Sequence, residues 1–454
     1  MAKKIALQNR GAIFSYSLFM KTQHNIYHIK RERVNIMLNF CIEGGKKLEG
    51  EVHISGSKNA ALPIIAATVL NGGISKLYNV PKIHDTEMMY KILENLGCTV
   101  KKAKNKVIID SSKVHKYEIP ENLMREMRSS VILAGAIIGR HHQAVFSYPG
   151  GCDIGTRPID LHLKSFEKLG INISKNYGNI SCKCDTIENA KIDLDFPSVG
   201  ATENIMLASC LGIGTTVISN AAREPEIVDL QNFLNRMGAK ISGAGTNTVI
   251  IKGVQQLKDV SYNIMPDRIE AGTYLCAGAI TGGRIKVLDL EPDHITPILN
   301  KLEEAGCSLN VGKDFVELAA PKRLKAINIK TMPYPGFPTD MQSIFVAMLT
   351  VAKGTSLVEE NVFENRYKFV QELERMGAKI TISGKTAIID GTKRIHGTTI
   401  KATDLRGGMA MVIEALVAKR QTRIENIHYI LRGYENLEQK LTNLGAKIYL
   451  KEGE

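Results

Sequence analysis

The chain has no tryptophan, and aromatic residues make up only 6% of it. No Lys/Arg tract with interleaved aromatics occurs in its body, which argues against nucleic acid as a partner. No apolar run approaches the roughly 18 residues that suggest a membrane span. One of the longest, Val131 to Gly139, reads as core. There is no CxxC. The eight cysteines, Cys41, Cys98, Cys152, Cys182, Cys184, Cys210, Cys276 and Cys307, are scattered and lie mostly in apolar segments. That usage predicts a reduced, cytoplasmic protein. Cys182-x-Cys184 lacks a His/Cys partner pair nearby, so strand alternation explains it better than half a metal site. A Walker A loop is also missing, because the GxxxxGK[ST] spacing occurs nowhere near the one Lys at a strand-to-helix junction.

What is present is positive charge. The formal net charge is +13 over 454 residues. Residues 1–36 carry +6 of it, from seven Lys/Arg and one Glu, and the remainder carries +7. Residues 1–36 show no periodic pattern and no cleavage motif, so they are expected to stand outside the fold, with Met37 as the natural start. A net positive body implies anionic ligands, and phosphorylated small molecules fit it.

The most informative feature is an internal repeat. A helical pattern ending in glycine, then a strand, a turn and a second strand, recurs six times. The glycines are Gly97, Gly170, Gly238, Gly306, Gly377 and Gly445, spaced by 73, 68, 68, 71 and 68 residues. Apolar stripes at helical spacing precede them, such as Met89, Ile92, Leu93 and Leu96, or Leu230, Phe233, Leu234 and Met237. Each glycine suits the left-handed conformation that ends a helix. Further segments, Ala201 to Leu211 and Gln342 to Ala352, read as buried helices, followed by strands Thr215 to Asn220 and Thr355 to Glu360. The unit is therefore βαβαββ-like. Six mixed units split into two groups of three with a cleft between them, which fits better than a uniform solenoid.

The loops before the glycine-ended helices are equivalent in position yet differ in charge. They include His84-Asp85-Thr86, Cys152 to Arg157, Arg223-Glu224-Pro225-Glu226, Glu364-Asn365-Arg366 and Leu431-Arg432-Gly433. In a pseudo-symmetric domain they gather at one end, where helix N-termini favour anions. Ser55-Gly56-Ser57-Lys58-Asn59 stands at a strand-to-helix junction. A Lys in a first helical turn opposes the dipole unless it faces an anion. Pro149-Gly150-Gly151-Cys152 is a polar glycine loop in which a thiol can be exposed and activated.

These stretches carry a resemblance. Ser55 to Ala61, Ala221 to Glu226, Pro149 to Asp160, Phe337 to Gln342, Phe363 to Arg366, Ala402 to Arg406 and Arg432 to Glu435 resemble the signature segments of UDP-N-acetylglucosamine enolpyruvyl transferases. The likeness runs in order over about residues 37–454. It implies two inside-out α/β (prism-like) domains, each of three βαβαββ repeats, with the active site in the cleft between them. The expected division is 58–265 for one domain, and 37–57 with 266–454 for the other. The implied reaction moves the enolpyruvyl group of phosphoenolpyruvate onto the 3-hydroxyl of UDP-N-acetylglucosamine and releases phosphate, the first committed step of peptidoglycan synthesis. No metal or organic cofactor is implied.

By the same resemblance, Lys58, Asn59, Arg128, Arg157, Arg406 and Arg432 face phosphoenolpyruvate. Asn59, Arg128, Arg157, Pro158, Ile159, Asp160, Leu161, His162, Ser198, Val199, Gly200, Asp340, Val362 and Arg366 face the nucleotide sugar. Cys152 delivers a proton to the alkene carbon, Asp340 takes one from the 3-hydroxyl, and Lys58 and Arg432 complete the catalytic set. Some relatives carry Lys shortly before Ser-Val-Gly, where this chain has Phe196-Pro197. Two rivals share the fold: a 5-enolpyruvylshikimate-3-phosphate synthase, whose segment equivalent to Ser55–Ala61 differs and which lacks such a Cys loop, and an inactive sugar-nucleotide-binding relative, which would not need Lys58, Cys152, Asp340 and Arg432 together.

If Cys152 is a general acid, Cys152→Asp keeps appreciable turnover with a lower pH optimum, because a carboxylic acid stays protonated only in more acidic solution. Cys152→Ser is nearly inactive, an aliphatic hydroxyl being a far weaker acid than a thiol near about 8.5. The resemblance further implies that fosfomycin, an epoxide resembling phosphoenolpyruvate, alkylates the wild-type thiol, and it should spare the Asp variant, which has no thiol to attack the epoxide. The checks are pH–rate profiles and intact mass after treatment. An active Ser variant, or an adduct on another cysteine, contradicts the role.

Overall fold

The computed structural model describes residues 38–150 and 159–453. Six sheets are present, one for each sequence repeat. The third unit shows the plan in full. Strand Lys191–Asp193 leads to helix Val199–Ser209, strand Thr215–Ser219, helix Pro225–Arg236, and strands Lys240–Ser242 and Thr248–Lys252. Thr215–Ser219 pairs parallel with the first strand and antiparallel with the last. In the second unit the parallel edge shrinks to a single bridge between Glu118 and Val145, leaving three strands.

Two sheets take their parallel edge from far along the chain. Val260–Asn263 pairs with Ile74–Tyr78, and Glu49–His53 pairs with Arg284–Leu288. Leu38–Glu43 lies between Gln421–Glu425 and Lys447–Glu452. The residues before Lys58 thus complete sheets otherwise built from residues beyond 280.

The helices divide into two kinds. Arg268–Ile280, Gln342–Leu349 and Leu405–Ala415 are buried along their whole length. Lys58–Ala67, Ile132–His141 and Val199–Ser209 are buried along most of theirs. A helix apolar on all sides belongs inside a core. The glycine-ended helices are amphipathic: Thr296–Glu304 buries only Ile298, Leu299 and Leu302. Sheets and amphipathic helices therefore surround central helices, the inside-out α/β arrangement. Two hydrophobic cores result. One runs from Ala60 to Met265, and the other joins Phe40 to Ile54 with Ile269 to Ile448. Among the described residues no helix is long and apolar enough to cross a membrane.

All six repeat glycines have left-handed φ, from 78° at Gly170 to 108° at Gly97. At Gly97 a Cβ would also lie 2.7 Å from the Lys113 carbonyl oxygen and 2.8 Å from His115 Nδ1, whereas at Gly238 it would meet nothing within 4 Å. Gly238→Ala therefore pays only the left-handed strain, about 1–2 kcal/mol. Gly97→Ala costs more, because packed atoms must shift as well. Denaturant midpoints of the two variants check this, and equal losses would contradict the steric account.

Candidate active site

The site starts where the chain passes between the two cores. Residues 55–58 and 265–267 run side by side there. Ser57 donates its amide to the Met265 carbonyl (2.7 Å), Asp267 donates its own to the Ser55 carbonyl (2.9 Å), and Gly56 bridges Pro266. Asp267 then caps the helix that follows it, accepting from the Ile269 and Glu270 amides at 2.8 and 2.9 Å. Its second oxygen accepts the Lys58 amide at 3.0 Å. Ser57 caps the Lys58 helix through the Ala60 amide. Lys58 is thus held at a helix start by groups from both halves.

The anion that a lysine needs in that position is Asp85, in the first turn of helix His84–Leu96. Lys58 Nζ lies 2.8 Å from Asp85 Oδ2. Arg432 approaches the same carboxylate from the other half, Nε to Oδ1 at 2.8 Å and Nη2 to Oδ2 at 3.2 Å. Asp85 is only 1% exposed. Burial alone would raise its pKa, but Lys58 and Arg432 outweigh burial and lower it. The first and sixth loops also touch where Glu435 accepts the Lys82 amide at 3.0 Å.

A second ionic cluster lies within electrostatic reach of Lys58. Asp340, in the single 3-10 turn Thr339–Met341, accepts from Arg366 through one oxygen and from Arg406 through the other, both at 2.9 Å. Burial pushes its pKa up, but Arg406, Arg366 and Lys58 together hold it well below the usual carboxylate range. Arg406 also donates to the Tyr434 hydroxyl (3.0 Å), which in turn contacts Thr273. The Nε atoms of Arg366 and Arg406 are buried and have no hydrogen-bond partner among the described residues. Those N–H groups suit an incoming anion. Glu360 organises the surrounding backbone. Its Oε1 accepts from Thr331 and from the Val362 and Phe363 amides, and its Oε2 accepts from Thr339.

Several of the residues expected to face the nucleotide sugar form a third group. His162 packs against Gly200, where a Cβ would lie 3.0 Å from the ring. The Asn204 amide nitrogen lies 2.7 Å from His162 Nδ1 and 3.1 Å from the Val131 carbonyl, so that ring nitrogen accepts. Burial and the nearby Arg128 charge lower the His162 pKa to about 4, so the ring is neutral in ordinary buffers. Ser198 caps the Val199 helix through the Ala201 amide (3.3 Å), and Asp160 and Leu161 begin the helix that carries His162, just after the buried Ile159. Asn59 lies half-buried beside Lys58 in the same helical turn.

The structure therefore brings Lys58, Asp340, Arg366, Arg406 and Arg432 together, and gathers Arg128, His162, Ser198, Val199 and Gly200 separately. Cys152, Arg157 and Pro158 lie outside the described residues. The entry to their loop is fixed at Gly150, whose amide donates to the Met124 carbonyl (3.1 Å) and whose α-carbon faces the Arg125 carbonyl too closely for any side chain. Sequence reasoning noted Asp85 only as part of a loop, and Tyr434 and Asp404 only inside signature segments, and it gave no role to Glu360 or to Asp404, which caps the Arg406 helix. Among the described residues no group of three or more His, Cys, Asp or Glu is arranged to hold a metal.

Comparison with known proteins places this arrangement. The EPSP synthase (3-phosphoshikimate 1-carboxyvinyltransferase) family profile matches residues 42–441. UDP-N-acetylglucosamine 1-carboxyvinyltransferase 2 of Caldanaerobacter subterraneus subsp. tengcongensis is 52% identical over 91% of this chain and 99% of its own length. The UDP-N-acetylglucosamine 1-carboxyvinyltransferase of Geobacter metallireducens is 47% identical over the same shares. Among solved structures, the enolpyruvyl transferase NikO from Streptomyces tendae superposes with a TM-score of 0.83 at 24% identity, covering 92% of this chain and 100% of that one. EPSP synthase from Acinetobacter baumannii gives 0.71 at 16%, covering 91% and 100%, and these two likenesses speak to the fold. With a family profile spanning nearly all of the described chain and relatives near half identical over their full length, the chain belongs to the EPSP synthase family of enolpyruvyl transferases, among the UDP-N-acetylglucosamine 1-carboxyvinyltransferases.

Proposed function

We propose that the chain transfers the enolpyruvyl group of phosphoenolpyruvate to the 3-hydroxyl of UDP-N-acetylglucosamine with release of phosphate. It does so in the cytoplasm, with small molecules as its partners and no nucleic acid. The observation that carries the reading is a set of four buried or nearly buried cations, Lys58, Arg366, Arg406 and Arg432, converging from both cores on two carboxylates. Two phosphorylated substrates need such a set in a water-poor site. We take the two cores as the two domains, 58–265 and 37–57 with 266–454, and the ion pairs between them as the floor of the cleft.

In this scheme Lys58, Arg157 and Arg432 hold phosphoenolpyruvate, with Asn59, Arg128 and Arg406 beside it. Arg157 to His162 (Pro158, Ile159, Asp160 and Leu161 included), Ser198 to Gly200, Val362 and Arg366 line the nucleotide sugar. Asp340 accepts the proton of the 3-hydroxyl as that oxygen attacks, while Cys152 gives a proton to the alkene carbon. Phosphate then leaves as a proton is withdrawn from that carbon. An aspartate gripped by two arginines is a weak base. A substrate anion that draws Arg406 away from Asp340 raises its basicity, so the acceptor is activated as phosphoenolpyruvate arrives. The unpartnered Nε of Arg406 is the group through which that exchange begins.

Phosphate release from phosphoenolpyruvate should require UDP-N-acetylglucosamine. Activity with shikimate-3-phosphate in its place would transfer the chain to the rival reaction. Lys58→Ala and Arg432→Ala should each lose about tenfold to a hundredfold in kcat/KM, the loss of one charge-assisted bond to a buried anion. Arg223→Ala, at an exposed loop position, should stay near wild type. Equal losses in all three would reduce the cations to general steering.

A further inference from the structure

A second ion pair joins the two halves, away from Asp85, and the catalytic scheme above leaves it unused. Arg268, the first residue of its helix in the second half, is 8% exposed and places Nε 2.9 Å from Oε1 of Glu226 in the first half, itself 2% exposed. The guanidinium lies over the Tyr334 ring, 5.6 Å from its centre. Glu224, two residues before Glu226, has Oε1 within 3.5 Å of the Tyr334 amide. Glu203, a turn into the helix capped by Ser198, lies within electrostatic reach of Glu226 and Glu224. Glu226, Glu224 and Asp340 act on the guanidinium. Burial, with Glu226 and Glu224 nearby, raises the Glu203 pKa well above the usual carboxylate range.

Tyr334 is the tip of a compact loop that delivers Asp340. Met332 donates to the Phe337 carbonyl (3.0 Å) and Gly336 to the Pro333 carbonyl (2.9 Å). Both ends of the loop are tied to Glu360, through the Thr331 and Thr339 hydroxyls at 2.9 Å each. Asp340 follows immediately, and its charge acts on Arg268. The segment carrying Asp340 is therefore fixed at its base within the second half and at its tip against the first.

We propose that Arg268, held by Glu226 and covered by Tyr334, is a positioning residue that registers Asp340 against the first half of the molecule. It touches no reacting atom. Its pairing with Glu226 decides where the Tyr334 loop docks, and the docked loop decides where the Asp340 carboxylate stands relative to residues on the Val199 helix. The inference rests on the enolpyruvyl-transfer reading.

The test compares Glu226→Gln with Glu203→Gln, two isosteric changes in one cluster, by phosphate release with both substrates varied. Glu226→Gln removes a charge that Arg268 needs. It should lower kcat about tenfold or more while KM for phosphoenolpyruvate moves less than about threefold, the signature of lost transition-state geometry rather than lost binding. Glu203→Gln leaves the Arg268–Glu226 pair in place and should stay within about twofold of wild type. Tyr334→Phe keeps the ring over the guanidinium and should retain activity, whereas Tyr334→Leu should show the kcat defect. This half-buried pair decides the matter if Glu226→Gln does not fold. Equal behaviour of the two glutamine variants, a defect confined to KM, or a fully active Tyr334→Leu would overturn the role. Wild-type enzyme that releases no phosphate with its two substrates would instead overturn the underlying function.

Discussion

The constraint on which the site depends is that buried cations need anions. Lys58, Arg366 and Arg406 are each less than 9% exposed, and Arg432 has a side chain only 11% exposed. Left alone, any of them would destabilise the fold. Asp85 and Asp340 resolve this with opposite consequences. Asp85 is enclosed and pairs with cations from both halves, so it fixes Lys58 and Arg432 in one place. Asp340 is about a quarter exposed (28% for its side chain), which is what the proposed exchange of a partner for a substrate anion requires. In the proposed scheme one carboxylate serves as scaffold and the other as the reactive group, and burial separates them.

The backbone supports this division. The two crossings are hydrogen-bonded to each other, and Asp267 both caps a helix of the second half and receives the Lys58 amide. Lys58 therefore belongs by packing to the first core and by anchoring to the second. The same economy appears at Glu360, where one side chain sets the turn at Val362 and both ends of the loop before Asp340.

Much of this was legible in the sequence, for identifiable reasons. The six glycines announced the repeat because a left-handed helix end tolerates little else, and all six take that conformation. The inner helices were visible as apolar runs too long for strands. Lys58 drew notice because a lysine at a helix start needs an anion, and the anion proved to be Asp85. What the sequence hid was partnership. Asp85 and Arg432 stand 347 residues apart, and Arg268 and Glu226 stand 42 residues apart on opposite sides of a crossing. The reduced edge of the second unit was also invisible, because a single bridge at Glu118 leaves no alternating pattern.

The central claim is that Asp85 makes Lys58 and Arg432 a single anion-binding unit. A double-mutant cycle on kcat/KM for phosphoenolpyruvate tests it most directly, using Asp85→Asn, Arg432→Ala and the pair. Asp85→Asn leaves two cations without their shared anion and should cost about as much as Arg432→Ala. The double variant should be little worse than either, a coupling of about 1–3 kcal/mol. Strictly additive losses would mean that Asp85 acts on the substrate independently of Arg432, and would contradict the account.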